Sequence, residues 1–430
     1  MGVRGAATAW GRLDWPAASA ELPLGDRHAA LPPVEGSMLA YGNGRSYGDV
    51  GLNPGGTLLK MRGLDRFIAF DAENGVLSCE AGVLLADILA VFVPRGWFLA
   101  VTPGTRFVTV GGAIANDVHG KNHHAAGSFG DHLLSFELLR SDGARLICSR
   151  EGNSDWFAAT IGGLGLTGVI TQATIRLRRI RGTAMRVHNR RYTGLDEFFA
   201  LNAAAEQAHE YAVAWIDCLA KTPRGVLMAA DHGEGDLPAP HGEKRVPVTP
   251  PLSLVNGLSL RAFNAAYYGK PWPAEVPQHY LPYFYPLDAI HDWNRIYGNP
   301  GFYQYQCVVP PAAARDAIGE MLDAIAASGQ GSFLAVLKNF GDRPTPGLLS
   351  FPMPGTTLAL DFPNHGAPTL ALFERLDAIV RAAGGRLYAA KDARMPGGFF
   401  RAAYPQWQDF SRFVDPKFSS GFWRRVMEQA

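Results

Sequence analysis

Apolar and polar residues alternate most clearly at Val169–Arg178, V-I-T-Q-A-T-I-R-L-R, and a period of two predicts a strand with one buried face. Shorter runs at Thr57–Met61, Val76–Glu80 and Leu146–Cys148 predict further strands, while Leu84–Val93 carries a helical pattern. Residues 1–180 thus read as one α+β unit. From about Arg181 the pattern changes. Residues 195–209 are helical in composition and Tyr211–Cys218 is strand-like. A loop-like tract follows, with ten of the thirty prolines between Pro238 and Pro286 and eight aromatics in its second half. Beyond it the pattern predicts a strand at Phe302–Val309, a helix at Ala312–Ala327 and strands at Ser332–Asn339 and Thr356–Phe362. A helix at Thr369–Ala383 and a strand at Arg386–Lys391 complete the series. That order implies an α+β layer with helices on one face of a sheet and the other face free to meet something.

Composition narrows the classes. A chain of 430 residues suggests two or three domains at about 150 residues each. Forty basic residues against 39 acidic ones leave no basic field for nucleic acid. An apolar content of 47% excludes disorder. Cys79, Cys148, Cys218 and Cys307 are too widely spaced for a zinc or redox motif, so free thiols in a reducing compartment are expected. The first residues carry no apolar core of signal-peptide length, and no run approaches the roughly 18 apolar residues of a membrane span. The expected location is cytoplasmic.

Glycine carries the chemistry. Residues 42–56, 104–130 and 162–168 hold 16 of the 49 glycines, about three times the share an even spread gives them. Gly163, Gly165 and Gly168 match G-x-G-x-x-G, but a strand-like run follows them and no acid occurs before Asp196. A nicotinamide-binding turn needs a helix there and an acid about 20 residues on, so that reading fails. Three glycine-rich loops without a Walker lysine instead favour an extended diphosphate cofactor lying against bare backbone amides. His119, His123, His124 and His132 crowd fourteen positions, yet Gly120 and Asn122 argue against a helical metal pair. No metal is expected.

The blocks GNGRSYGD (42–49), PGTRFVTVGGAIANDVHGKNHHAAGSFGDH (103–132), GGLGLTGVI (162–170), YQYQ (303–306), SFLAVLKNFG (332–341) and GGRLYAAKDAR (384–394) carry a resemblance. The chain resembles the vanillyl-alcohol-oxidase-type FAD flavoproteins over about residues 40–415. The resemblance implies a bilobal α+β fold. Residues 1–180 would bind FAD, and 181–391 would form a substrate-binding cap with an antiparallel sheet, flanking helices and a mobile loop at about 232–284. Residues 392–430 would return to the FAD domain. The chain before the first glycine loop is short for the family, so the first α/β unit is expected to be reduced. Some members tether the flavin through a histidine in that loop. Here it reads Gly44-Arg45-Ser46-Tyr47, which implies non-covalent FAD.

By the same resemblance, Gly42, Asn43, Gly44, Arg45, Ser46 and Tyr47 cradle the diphosphate, and Thr109, Gly112, Asn116, Gly168 and Ile170 line the flavin and its linker. Pro103, Gly104, Thr105, His119, Gly120 and Tyr388 complete the cofactor set. Gln304 and Gln306 alternate on one strand and so share a face, as do Lys338 and Phe340 on another. A lone lysine such as Lys391 is ordinarily solvated surface. The resemblance makes it the catalytic lysine, with Tyr47 and His119 beside it. Lys121, Trp215, Gln304, Gln306, Val336, Lys338, Phe340 and Ala359 then surround the substrate. Ala359 stands where a family member captured by nitroaromatic inhibitors carries cysteine.

The implied activity is oxidation of the 2′-hydroxyl of a polyprenyl-phospho-β-D-ribose to the 2-keto sugar, the first half of an epimerisation to the arabinose form. A short-chain reductase partner would complete it, and the proline-rich loop could admit the lipid and touch a membrane. Two alternatives stay open from the residues alone: a flavin oxidase acting on a soluble alditol, aldonolactone or hydroxy acid, and a non-catalytic sugar-binding protein.

Overall fold

The structure, a computed structural model, describes residues 7–240 and 242–428. The outermost positions of the sequence-predicted units, including the first six residues of the leader reading, lie outside the described residues.

Two sheets dominate. In the first, Val169–Arg179 is central: it pairs antiparallel with Val76–Glu80, Leu133–Leu139 and Trp97–Leu99. Phe67–Asp71 and Arg145–Ser149 form its edges. The alternation read from sequence is why: Val169, Ala173, Ile175 and Leu177 are buried, while Arg176 is exposed. Beside this sheet, Ala20–Pro23, Thr57–Lys60 and Met38–Tyr41 make a small parallel sheet.

The second sheet has eight strands, all paired antiparallel. Its order is Glu275–His279, Ala184–Thr193, Arg224–His232, Tyr211–Ile216, Ala335–Phe340, Gly355–Pro363, Phe302–Val309 and Arg386–Leu387. Helices Leu195–Ala208, Pro311–Ser328 and Ala367–Ala382 cover one face. Ile318, Met321, Leu322 and Ile325 from one helix and Phe373, Leu376 and Val380 from another bury their apolar stripes there. The opposite face is left for Trp215, Gln304, Gln306, Val336, Lys338 and Ala359.

Three expectations are corrected. The strand at Arg386–Lys391 ends at Leu387, and Tyr388–Lys391 is a turn closed by Lys391 N–H donating to the Tyr388 carbonyl (2.9 Å). The strand expected from Ser332 begins at Ala335, because Ser332 Oγ instead bonds the Leu334 carbonyl (2.7 Å) in a bend. The proline-rich tract holds a helix, Gly257–Gly269, and the edge strand Glu275–His279. Asn256 starts that helix by accepting from the N–H groups of Leu258 and Ser259.

After Lys391 the chain packs on the first residues. Met38 N–H donates to the Lys417 carbonyl (2.6 Å), and the Asp415 carboxylate accepts from Ser141. Arg425 reaches two buried carboxylates at once, Asp49 (2.7 Å) and Asp392 (2.9 Å).

Candidate active site

A cavity of about 850 Å³ opens between the glycine-rich loops and the bare face of the eight-stranded sheet. That is at the large end of small-molecule and cofactor sites. Every sequence-predicted site residue lines it except Phe340. Phe340 is corrected to a supporting position, its ring edge-on to His119 at 4.9 Å and tilted against His123 at 4.7 Å.

The first glycine loop is held from three sides. Asn43 Nδ2 donates to the Phe107 carbonyl (2.8 Å), tying it to the second loop. Tyr47 N–H donates to the Ala390 carbonyl (3.0 Å), tying it to the Lys391 turn. The Arg45 guanidinium lies 4.2 Å over the Trp10 ring. Gly44 adopts φ +61°, and at Gly48 a Cβ would come within 2.0 Å of the Asp392 carbonyl oxygen, so the turn has no room for a side chain there. Among the described residues, the backbone N–H groups of Asn43, Gly44, Arg45 and Ser46 donate to no protein acceptor. Four consecutive free amides are what an anion such as a diphosphate requires. The side chains agree: Arg45 Nε, Asn116 Oδ1, His119 Nδ1 and Gln304 Oε1 are buried without a partner. Gly104 lines the cavity with nothing within 4 Å of a Cβ placed on it. These residues fit a dinucleotide-sized group with a diphosphate.

At the sheet end, Lys391 Nζ sits 4.0 Å over the Tyr47 ring. Burial pushes its ammonium down to about 8, and the nearby Asp361 carboxylate opposes that fall. Asp361 is fully buried, and burial pushes its carboxyl up to about 7. Gln304, its cross-strand neighbour, donates Nε2–H to Asp361 Oδ1 (2.7 Å). Asp361 was not among the residues singled out from sequence. The available signal was an acid inside the apolar run T-L-A-L-D-F, on the strand beside the two glutamines.

Gln306 Nε2 and His119 Nε2 are 3.1 Å apart, and burial followed by the charge of Lys338 holds the imidazole well below its ordinary range, hence neutral. Burial likewise takes Lys338 and Lys121 down to about 7. Each ammonium already donates to a carbonyl, Lys338 to Gly120 and Lys121 to Tyr283. The remaining histidines are spent on backbone: His123 accepts from Gly341 N–H, His124 pairs the His209 carbonyl and His132 the Ala126 carbonyl. Among the described residues no three His, Cys, Asp or Glu side chains converge as a metal site. All four cysteines are buried and unpaired.

The arrangement offers an anion cradle, a long cleft and a buried amine facing amides and an imidazole. Comparison with known proteins agrees with that chemistry. Residues 35–149 match the FAD binding domain family. Over 90% of its length the chain is 38% identical to decaprenylphosphoryl-β-D-ribose oxidase of Mycolicibacterium smegmatis, covering 89% of that protein. It is 33% identical to an uncharacterised Streptomyces coelicolor protein, over 80% of this chain and the whole of that one. Similarity to mouse L-gulonolactone oxidase, 31% identical, spans 31% of this chain and 30% of the enzyme. No helix among the described residues is long and apolar enough to cross a membrane.

Proposed function

The chain belongs to the family of FAD-dependent oxidoreductases that contains decaprenylphosphoryl-β-D-ribose oxidase, and from that premise we propose that it oxidises the 2′-hydroxyl of a polyprenyl-phospho-β-D-ribose. The observation that carries this reading is the buried Lys391 amine over Tyr47, lining the same cavity as Gln304, Gln306 and His119.

FAD is held without a covalent bond, its diphosphate on the Asn43–Ser46 amides and its ring against Thr109, Gly112, Asn116, Gly168, Ile170 and Tyr388. When bound, it supplies the two-electron acceptor that alcohol oxidation requires. Lys391 in its neutral form takes the hydroxyl proton at Nζ. A side chain whose pKa is brought from 10.5 to about 8 by burial is suited to that task near neutral pH. Asp361 keeps the resulting ammonium stable, and Gln304 holds Asp361 in place. Gln306 and neutral His119 orient the sugar hydroxyls. The apolar walls from Trp215 and Val336 exclude water, and Lys121 and Lys338 offer their remaining N–H donors to the phosphate. The product is a ketone, so a reductase acting on the same lipid-linked sugar would complete an epimerisation.

Anaerobic mixing with a short-chain polyprenyl-phospho-ribose should bleach the flavin absorbance, and acid precipitation should release FAD into the supernatant. Bleaching by a soluble aldonolactone or alditol but not by the phospho-ribose would overturn the substrate, and flavin that stays with the pellet would overturn the non-covalent attachment.

A further inference from the structure

Asn116, Val118, His119, Gly120 and Lys121 all line the cavity, and Asp117 alone in that run turns away from it. Five non-glycine residues hold a positive φ among the described residues, Asp117 (+38°) with them, and it is the only fully buried acid of the five. A left-handed backbone suits Asn and Asp better than other side chains, but it remains strained, and such strain gathers at working sites. A buried carboxylate is a second cost, ordinarily met by a cation. Here burial raises the carboxyl to about 6, and the charge acting on it is that of another acid, Asp131.

Hydrogen bonds hold it instead. Gly130 N–H donates to Asp117 Oδ1 (2.9 Å), and the Ser350 hydroxyl donates to Oδ2 (2.6 Å). The two donors come from different sheets. Gly130 lies just before strand Leu133–Leu139 of the first sheet, whereas Ser350 lies between strands Ala335–Phe340 and Gly355–Pro363 of the second. Gly347 N–H fixes the Ser350 hydroxyl oxygen (3.1 Å), and the Arg386 guanidinium fixes the Ser350 carbonyl (3.1 Å). The carboxylate thus draws one turn back against two anchored points. What the turn presents to the cavity is Asn116 and His119, each with a buried atom, Oδ1 and Nδ1, that has no protein partner. The Asn116 carbonyl also accepts from the Tyr388 hydroxyl (2.9 Å), so a tilt of the turn moves three cavity-lining residues together.

We propose that Asp117 is a positioning residue: through the strained turn and Ser350 it sets where Asn116 and His119 stand against the flavin and the sugar. Its effect on turnover rests on the alcohol-oxidation reading; its effect on the bound flavin does not.

The test compares Asp117→Gly, Asp117→Asn and Ser350→Ala in the full-length, FAD-loaded protein. Visible circular dichroism reads the flavin's surroundings, and anaerobic stopped flow with a short-chain polyprenyl-phospho-ribose reads its reduction. Asp117→Gly relieves the backbone strain but releases the turn. The limiting rate of reduction should therefore fall on the order of 10- to 100-fold, with substrate Kd changed far less. Flavin dichroism should change with it. Asp117→Asn suits the same backbone and keeps a hydrogen bond to each partner, so the rate should return to within about threefold of wild type, with wild-type dichroism. Ser350→Ala should slow reduction several-fold, and adding it to Asp117→Gly should cost nothing more, since the two residues act as one contact. A merely structural role predicts a lower melt with the rate and dichroism of the folded protein intact, and that result overturns the proposal. So does an Asn variant no better than the Gly variant, or a Ser350→Ala loss that adds in full to that of Asp117→Gly. Where Asp117→Gly does not fold, Ser350→Ala decides: unchanged rate and dichroism overturn the proposal. A wild type whose flavin the phospho-ribose does not bleach sinks the substrate reading, and the dichroism of the same variants still decides the role of Asp117.

Discussion

Arg425→Met should damage the protein more than any surface ion pair could. The Arg425 guanidinium donates from Nη2 to Asp49 (2.7 Å) and Asp392 (2.9 Å), from Nε to Asp49 (3.1 Å) and from Nη1 to the Met395 carbonyl (2.7 Å). The Asp49 and Asp392 side chains are only 2% and 5% exposed. Removing the cation strands two carboxylates out of water, a loss of about 3–5 kcal/mol for a broken buried pair. A chain of 430 residues unfolding as one unit has a melting entropy of about 0.9 kcal/mol per kelvin, so the expected fall in Tm is about 3–6 °C. The pH dependence has a definite sign. Burial already holds Asp49 above the ordinary carboxylate range despite Arg425, and without the guanidinium its pKa rises further. The deficit is therefore largest at neutral pH and shrinks as falling pH protonates the stranded acid. Adding Asp49→Asn should recover part of the loss at pH 7.5. Thermal unfolding followed by tryptophan and by flavin fluorescence reads both the melt and cofactor release. A melt within 1 °C of wild type, or an Asp49→Asn addition that deepens the loss at neutral pH, refutes the reasoning.

Other outcomes follow from the same geometry. Lys391→Ala should retain FAD but slow flavin reduction by about 10²–10⁴-fold, measured by anaerobic stopped flow; unchanged turnover would remove it as the base. In the wild type, the rate of flavin reduction should rise with pH through about 8 as Lys391 loses its proton. Asp361→Asn should move that limb to lower pH, since the charge that supports the ammonium is gone; a limb that stays put or moves up would contradict the pairing. Gly104→Leu should leave the apoprotein melt unchanged while lowering FAD affinity, read by flavin fluorescence titration, because its side chain has only the cavity to enter. Mass spectrometry should find no nitroaromatic adduct on the peptide containing Ala359, and Ala359→Cys should supply the missing thiol.

Patterns that depend on one buried face were legible from the chain. Val169–Arg179 reads by alternation, and Gln304 and Gln306 stand on one side of Phe302–Val309 by simple parity. Strands that combine burial with polar duty were not. Ala184–Thr193 contains His188, Asn189 and three arginines, and Arg224–His232 ends in Asp231 and His232, so neither shows a clean period. Their polar groups are used within the sheet or against neighbours, as where His209 Nδ1 and Asp231 Oδ2 meet at 2.7 Å. Prolines concealed helix Gly257–Gly269, although none falls inside it. Asp361 escaped notice because a carboxylate one residue from buried leucines looks like an interruption until the lysine beside it is known.

The bridge from Arg425 to Asp49 and Asp392 also bears on the order of events during synthesis. The amide loop at Asn43–Ser46 leaves the ribosome early, but its backing at Ala390, the Lys391 amine and the arginine behind both emerge only after every strand of the eight-stranded sheet. The nascent chain can build its first sheets with the cleft still open on one side. Cofactor loading is thus a late event, and a ribosome stalled before Arg425 would hold a folded lobe with a weak grip on flavin. Shortening the chain there should register first as lost colour and only then as lost solubility.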